Sequence, residues 1–326
     1  MSARLESVSR GRFLGVLYRG ADSDLAYSFR RNPVVVAATV ITLLFFLGAT
    51  FAGWIAPHTP FDPSTLSLSD AEKPPAWVDG GEWAYVLGTD NQGRDIFSTL
   101  LYGSRISLIV GFSAVIFSIV LGVSLGVTAG YFGGWYEAIV MRAADVQLTL
   151  PSILVALMVD GVARAIFAGT DIKTNAEFAI YVLIFAIGIS EWPQYARVVR
   201  STTLVEKSKD YVAAARIIGI PAWRIMLRHV LPNTLGPVLV LGTIGLALAI
   251  ITEATLSFLG VGIPPTQPSL GTMIRVGQEF LFSGQWWITL FPAVTLVLLV
   301  LSVNLLGDWL RDALNPKLRG CCRWAA

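Results

Sequence analysis

Ionisable side chains inside apolar stretches are where chemistry would be sought first, and this chain offers Asp145, Asp160, Arg164, Glu191 and Glu253. An unpaired charge at the centre of a bilayer costs on the order of 3 kcal/mol, so each must pair, reach an interface or line an aqueous path. A proton relay would need carboxylates repeated at helical spacing along one span, and no such row exists. Asp160 and Arg164 stand four residues apart, a spacing that lets them neutralise one another on one helix face near the outer surface. Glu253 closes a long apolar run, which places it most simply at an interface. Asp145, Pro151 and Glu253 therefore stand as candidates for a pathway or an interface, Pro151 because its missing N–H predicts a kink or loosening that serves gating or packing. Asp90, Asn91 and Asp95 miss the alternating oxygen ligands of a calcium loop. With only His58 and His229, and with Cys321 and Cys322 adjacent, neither a zinc site nor a disulfide framework is expected. No Gly-Lys dipeptide occurs, so a phosphate-cradling P-loop is absent and any nucleotide hydrolysis belongs to another subunit.

The elements that carry these residues are membrane helices. Hydrophobic residues make up 54% of the 326 residues, charged residues 14%, and the mean hydropathy is +0.65, a composition outside the range of soluble domains. A crossing needs roughly 20 apolar residues. Four charge-free runs meet that length, at 32–60, 106–136, 230–252 and 280–307. Two shorter ones, 146–159 and 178–190, are cut by Asp160 and Glu191; counting both gives six spans and counting neither gives four.

Basic residues set the orientation. Arg4, Arg10, Arg12, Arg19, Arg30 and Arg31 precede the first run, seven more basic residues lie between Arg197 and Arg228, and Arg311, Lys317, Arg319 and Arg323 follow the last run. By the positive-inside rule both termini and the 197–228 stretch face the cytoplasm. The segment 61–95 lies outside; there acidic residues outnumber Lys73 and Arg94, and Arg105 forms a collar at the mouth of the second span. A cleavable signal is not expected, because no short apolar core with a small-residue cleavage site precedes the first span. The net charge of +2 gives no reason to expect nucleic acid.

Two patterns point to packing and to a partner. Gly122, Gly126 and Gly130 recur every four residues, a small-residue face that lets a helix approach closely, either within the subunit or against a partner subunit. The loop DYVAAARIIGIPAWRIMLRHVLPN at 210–233 carries far more than a connection needs. It reads as a helix over 208–218 with Tyr211, Ala214, Ala215 and Ile218 on one face, ended by Gly219, and a second helix started by Pro221 at its first position. In the second helix Trp223, Met226 and Leu227 lie opposite Arg224 and Arg228, and Pro232 opens the next apolar run. An apolar face here is covered by the membrane surface or by another protein, and periodicity alone leaves both open.

Ala-Ala-Arg-x-x-Gly at 214–219 with His-Val-Leu-Pro-Asn at 229–233 resembles the EAA loop of inner-membrane permeases of bacterial ABC importers. GTDNQGRDIFSTLLYGSRISL, GYFGGWYEAIVMRAADVQLTLP, WPQYARVVR and EATLSFLGVGIPPTQPSLG are similar to the dipeptide, oligopeptide and nickel branch, on the side of its second, C-type, permease. The resemblance implies an all-α membrane protein of six spans with both termini cytoplasmic. The spans fall at about 33–56, 104–131, 138–166, 177–196, 234–257 and 286–307, with a coupling loop at 197–233. Segment 1–31 precedes the permease domain at 32–319, and a tail at 320–326 follows it.

It further implies a coupling helix that docks on a cytoplasmic ATPase through Tyr211, Ala214, Ala215, Arg216, Ile218, Gly219, Arg224, His229 and Pro232. Ala213 stands where that family's motif has its glutamate, so an acidic contact is not expected there. Partners implied are a second permease, two ATPase subunits carrying ATP and Mg, an extracytoplasmic solute-binding protein and membrane lipid. This chain itself would bind no cofactor and no metal. A self-contained secondary transporter or channel is the alternative, and an enzyme lacks a nucleophile–base pair to support it.

Overall fold

The computed structural model describes residues 29–61, 66–167, 176–267 and 269–314. The segment before residue 29 and the tail with Cys321 and Cys322 lie outside the described residues. Among the described residues every regular element is helical, with one isolated bridge between Thr89 and Asp95.

Helix α1 (Pro33–Thr50) starts where the Asn32 side chain accepts from the Val34 amide at 3.2 Å and Pro33 supplies a preset φ at the first position. A short turn, α2 (Ala52–Ile55), follows. An irregular cap over 66–95 then leads into α3 (Ile96–Phe132), whose first turn is capped by Asp95 accepting from the Ser98 amide at 3.0 Å. The 37 residues of α3 extend about 55 Å, far more than a hydrocarbon core. Arg105 lies on the exposed side within α3, and the turns before it are buried in protein through Ile96, Ser98, Thr99 and Leu100.

After Gly133, at φ +72, come α4 (Gly134–Leu148) and α5 (Ser152–Ile166), bent by 98° across a break of three residues. Pro151 holds extended dihedrals at the head of α5, and its ring keeps Leu150 out of the helical region, so an expected kink becomes a corner. Helix α6 (Ala176–Glu206) runs unbroken past Glu191 and Pro193. The connection holds α7 (Asp210–Ile217) and α8 (Ala222–Ile225), which passes through a π-turn (Met226–Val230) into α9 (Leu231–Phe258). Then follow α10 (Leu270–Phe280) and α11 (Trp287–Leu314).

Among the described residues five helices are long and apolar enough to cross a membrane, and the bent pair α4–α5 makes a sixth if counted as one span. The core is formed by α3, α6, α9 and α11, with Val110, Ala114, Leu183, Ala186, Ile250 and Leu299 fully enclosed. Helix α3 and helix α6 pack closely along a stripe of glycines. A Cβ on Gly122 would sit 2.6 Å from Tyr195 Cβ, one on Gly126 2.6 Å from the Ala196 carbonyl, and one on Gly130 2.8 Å from Thr203 Cβ. The three glycines therefore face α6 of the same chain.

Candidate functional site

The bundle has two built ends. At one, α6 stops and the chain turns through an elbow, α7–Gly219–α8, before entering α9. Gly219 holds φ +84, the left-handed conformation that ends a helix without a Cβ penalty, and its amide bonds to the Arg216 carbonyl at 3.0 Å. Pro221 takes the position just ahead of α8, one residue earlier than the sequence spacing indicated. The second arm is also no separate helix. It continues through the π-turn into α9, so Pro232 lies in the first turn of α9 rather than at its opening.

The elbow has its own small core of Val212, Ala215, Ile225 and Val230, against which Tyr131 and Ile220 pack. Ala215 is thus a core residue and not part of an outward face, which corrects the expected set of Tyr211, Ala214, Ala215 and Ile218. The side that meets the rest of the chain is set by Val212, the residue that periodicity did not single out. Ala214, Arg216 and Ile218 point outward with Ile217, and Ile217 and Ile218 are 87% and 76% exposed. Trp223 and Leu227 are exposed on the second arm.

Polar ties fix the elbow to three helices. The Tyr211 hydroxyl donates to Glu206 Oε2 at the end of α6 at 2.5 Å and accepts from Asn233 Nδ2 of α9 at 3.0 Å. Asn233 also donates to the His229 carbonyl at 3.0 Å. Lys207 Nζ donates to the Gly130 carbonyl at 2.7 Å, satisfying a free acceptor in the last turn of α3, where a cation is favoured. Arg216 lies 5.1 Å over the Tyr131 ring, and Arg224 5.2 Å over Trp223. Its hydrogen bond to Glu206 holds the Lys209 ammonium above the usual range, and burial, followed by that same carboxylate, raises Tyr211. Glu206, Lys207, Val212 and Asn233 were not singled out from the sequence. The basic residue directly after an apolar helix was the available signal for Lys207.

At the opposite end the cap 66–95 is an ordered structure. Lys73 pairs with Asp70 and Glu82, both at 2.7 Å, and these partners keep its ammonium protonated beyond the usual lysine range. Asp90 Oδ1 accepts from the Gln92 and Arg94 amides at 2.8 Å each, while burial pushes its carboxyl up. Arg94 is buried, bonds to Gln92 and donates to the Pro265 carbonyl at 2.9 Å. This contact joins the turn GTDNQGRD to the loop GIPPTQPSLG.

Glu253 is fully enclosed in protein, at 0% exposure, near the end of α9. Ser107 of α3 and Ser257 donate to it at 2.6 and 2.8 Å, and Ser269 at the head of α10 donates as well. These hydroxyls satisfy the carboxylate without an adjacent cation, an arrangement sequence spacing could not show because its donors come from distant elements. Asp160 and Arg164 do pair, at 2.6 Å, and Asp160 is 0% exposed. Asp145 forms an exposed pair with Arg197 at 2.7 Å, joining α4 to α6. Among the described residues no cluster of His, Cys, Asp and Glu would hold a metal.

The family of binding-protein-dependent transport system inner membrane components matches residues 122–320, and the N-terminal transmembrane domain of oligopeptide transport permease C matches residues 23–75. The chain belongs to this transport family. The permease is 40% identical over 293 residues to the dipeptide transport system permease protein of Haemophilus influenzae, covering 90% of this chain and 94% of that one. It is 43% identical over 291 residues to the Escherichia coli K12 dipeptide permease, covering 89% and 91%. Against an Escherichia coli glutathione transport system permease the identity is 39% over 295 residues, covering 90% and 89%. Among solved structures, an inward-facing form of the MetNI methionine ABC transporter aligns with TM-score 0.51 at 22% identity, covering 68% of this permease and 98% of that chain. That likeness speaks to the fold. Helical architecture, apolar spans and relatives agree on an ABC importer permease rather than a self-contained transporter.

Proposed function

We propose that this permease forms half of the pathway for di- or oligopeptides across a bacterial inner membrane, with a second permease as its partner. Two cytoplasmic ATPase subunits carrying ATP and Mg supply the energy, and an extracytoplasmic binding protein delivers the solute. The peptide reading follows the relatives' names over nearly their whole length. The glutathione permease at similar identity keeps the solute class at small peptides rather than at one dipeptide.

The elbow is the coupling element of this reading. One observation carries it: the elbow closes its own core and ties itself to α3, α6 and α9, yet leaves Ile217, Ile218, Trp223 and Leu227 exposed on its outward side. Apolar side chains on a rigid corner need a partner. The basic residues around it support a cytoplasmic position for this end. An ATPase groove receives Ala214 and Ile218, and because α8 continues into α9, displacement of the corner moves a whole span. Ala213 leaves the contact apolar where an acidic residue is usual for the motif.

Reconstitution tests this. The assembled complex should accumulate dipeptide in proteoliposomes only with ATP and Mg, and this chain alone should accumulate none. Uptake by the chain alone would show a self-contained transporter.

A further inference from the structure

The loop 259–267 that follows α9 is gripped by two arginines from different parts of the chain. Arg94 of the cap donates to the Pro265 carbonyl at 2.9 Å. Arg164 of α5 donates to the Val261 carbonyl and, at 3.0 Å, to the Gly262 carbonyl, while its guanidinium is paired with the buried Asp160 at 2.6 and 3.3 Å. The loop is otherwise braced from within. The Gly262 amide bonds to the Leu256 carbonyl at 3.1 Å, the Ile263 amide to Ser257 Oγ at 3.4 Å, and Thr272 Oγ1 to the Ile263 carbonyl at 3.2 Å. A Cβ on Gly262 would lie 2.7 Å from Ser257 Cα, so the loop is pressed against the end of α9.

Arg164 closes a longer connection. The helix joined to α5 across the 98° corner, α4, is held to α6 near the elbow by Glu137 with Arg200 and by Asp145 with Arg197 at 2.7 Å. The bent pair is therefore held at both ends: by ion pairs on the helix that enters the elbow, and by arginine-to-carbonyl hydrogen bonds on a loop at the far end of the bundle. The guanidinium reaches the carboxylate through Nε and the two carbonyls through Nη2, a fixed fork that the single nitrogen of an ammonium cannot reproduce.

We propose that α4–α5 is a crank carrying elbow displacement to loop 259–267, with Arg164 the positioning residue that fastens the crank to the loop. The inference rests on the importer reading and extends it. When α6 and the elbow shift, the ion pairs at Arg197 and Arg200 draw α4 along, the corner at Pro151 turns the motion, and Arg164 moves the loop at the extracytoplasmic mouth.

Arg164→Lys is the first test, in the complete complex in proteoliposomes. The ammonium still neutralises Asp160, so assembly and thermal unfolding stay as in wild type, but the carbonyl contacts are lost. Peptide taken up per ATP hydrolysed should fall several-fold, while the ATPase rate persists. Amide exchange over 259–267 should accelerate. A double variant, Asp160→Asn with Arg164→Met, removes both charges together, leaves no orphaned buried ion and should lose coupling equally. If transport and ATPase activity fall in parallel, or uptake per ATP is unchanged in either folded variant, the crank is refuted. Absence of ATP-driven uptake in the wild-type complex would instead defeat the importer reading, and this inference with it.

Discussion

Asn233 donates its side-chain amide to the Tyr211 hydroxyl at 3.0 Å, so the last residue of the His-Val-Leu-Pro-Asn stretch is bonded to the first turn of α7, on the far side of the elbow. With Glu206 as the acceptor of the same hydroxyl, one oxygen joins the end of α6 to the start of α9. The elbow is thereby a braced corner rather than a hinge.

Removing that oxygen should loosen force transmission without unfolding the protein. Tyr211→Phe is expected to cost at most about 1 kcal/mol, because the site is partly open to solvent and Glu206 retains Lys209. Thermal unfolding should shift by a few degrees at most, whereas uptake per ATP should fall several-fold. The tie is insensitive to pH over the physiological range. Tyr211 is raised in the folded protein, so its contribution is fully present below the ordinary tyrosine value and is lost only as pH rises through the raised one. A coupling ratio that changes between pH 6 and 8 in wild type but not in Tyr211→Phe would contradict this.

Gly219 separates backbone demand from space. Nothing lies within 4 Å of a Cβ placed there, yet φ is +84, so a substituted side chain meets strain alone. Coupling should rank Gly above Asn, Asn above Ala and Ala above Val, because Asn tolerates the left-handed region while Ala costs about 1 kcal/mol and a β-branched residue more. Equal ATP-driven uptake for Gly219→Val and wild type would remove the fixed turn from the account.

The α3–α6 seam responds to volume instead. Gly126→Val places new atoms where a Cβ alone meets the Ala196 carbonyl at 2.6 Å and Val199 Cβ at 2.9 Å, and should destabilise by about 1–3 kcal/mol or more. Gly161→Ala in α5, with open space around it and an ordinary φ, should leave thermal unfolding unchanged or slightly raised. Comparable loss in both would mean that close approach is not what the glycine stripe provides.

Asp90 gives a pH signature at the other end. Burial raises its carboxyl despite the two amides it accepts from. A raised folded value means that the folded cap binds the proton more tightly, so stability rises as pH falls through that value and is fully gained below the ordinary one. Asp90→Asn keeps an acceptor oxygen and should match or exceed wild-type cap protection at neutral pH, while Asp90→Ala should lose it. Hydrogen exchange over 88–95 measures both. Faster exchange in Asp90→Asn than in Asp90→Ala would refute this.

Sequence reading reached the helical class, the long apolar elements, the elbow with Gly219 at its turn and the Asp160–Arg164 pair, because each follows from local periodicity or a fixed short spacing. The helices overrun the expected spans at 104–131, 177–196 and 234–257, since the length of a span is set by the bilayer, whereas the first turns of α3 run on into buried protein. Ala215 was turned the wrong way because four small or apolar residues in a short helix allow two faces, and only Ile225 and Val230, brought back by the turn, choose between them. The donors around Glu253 were out of reach for the same reason: Ser107 precedes it by 146 residues.

The account stands most directly on which face of α7 meets an ATPase. Single cysteines at Ala214, which is exposed, and at Val212, which is enclosed, should be placed in a chain with Cys321 and Cys322 changed to serine. They are then crosslinked in the assembled complex with a short bifunctional reagent against cysteines in the ATPase. The account predicts an ATPase adduct from position 214 and none from position 212. No adduct from 214, or labelling of 214 by an impermeant reagent added outside intact cells, would contradict it.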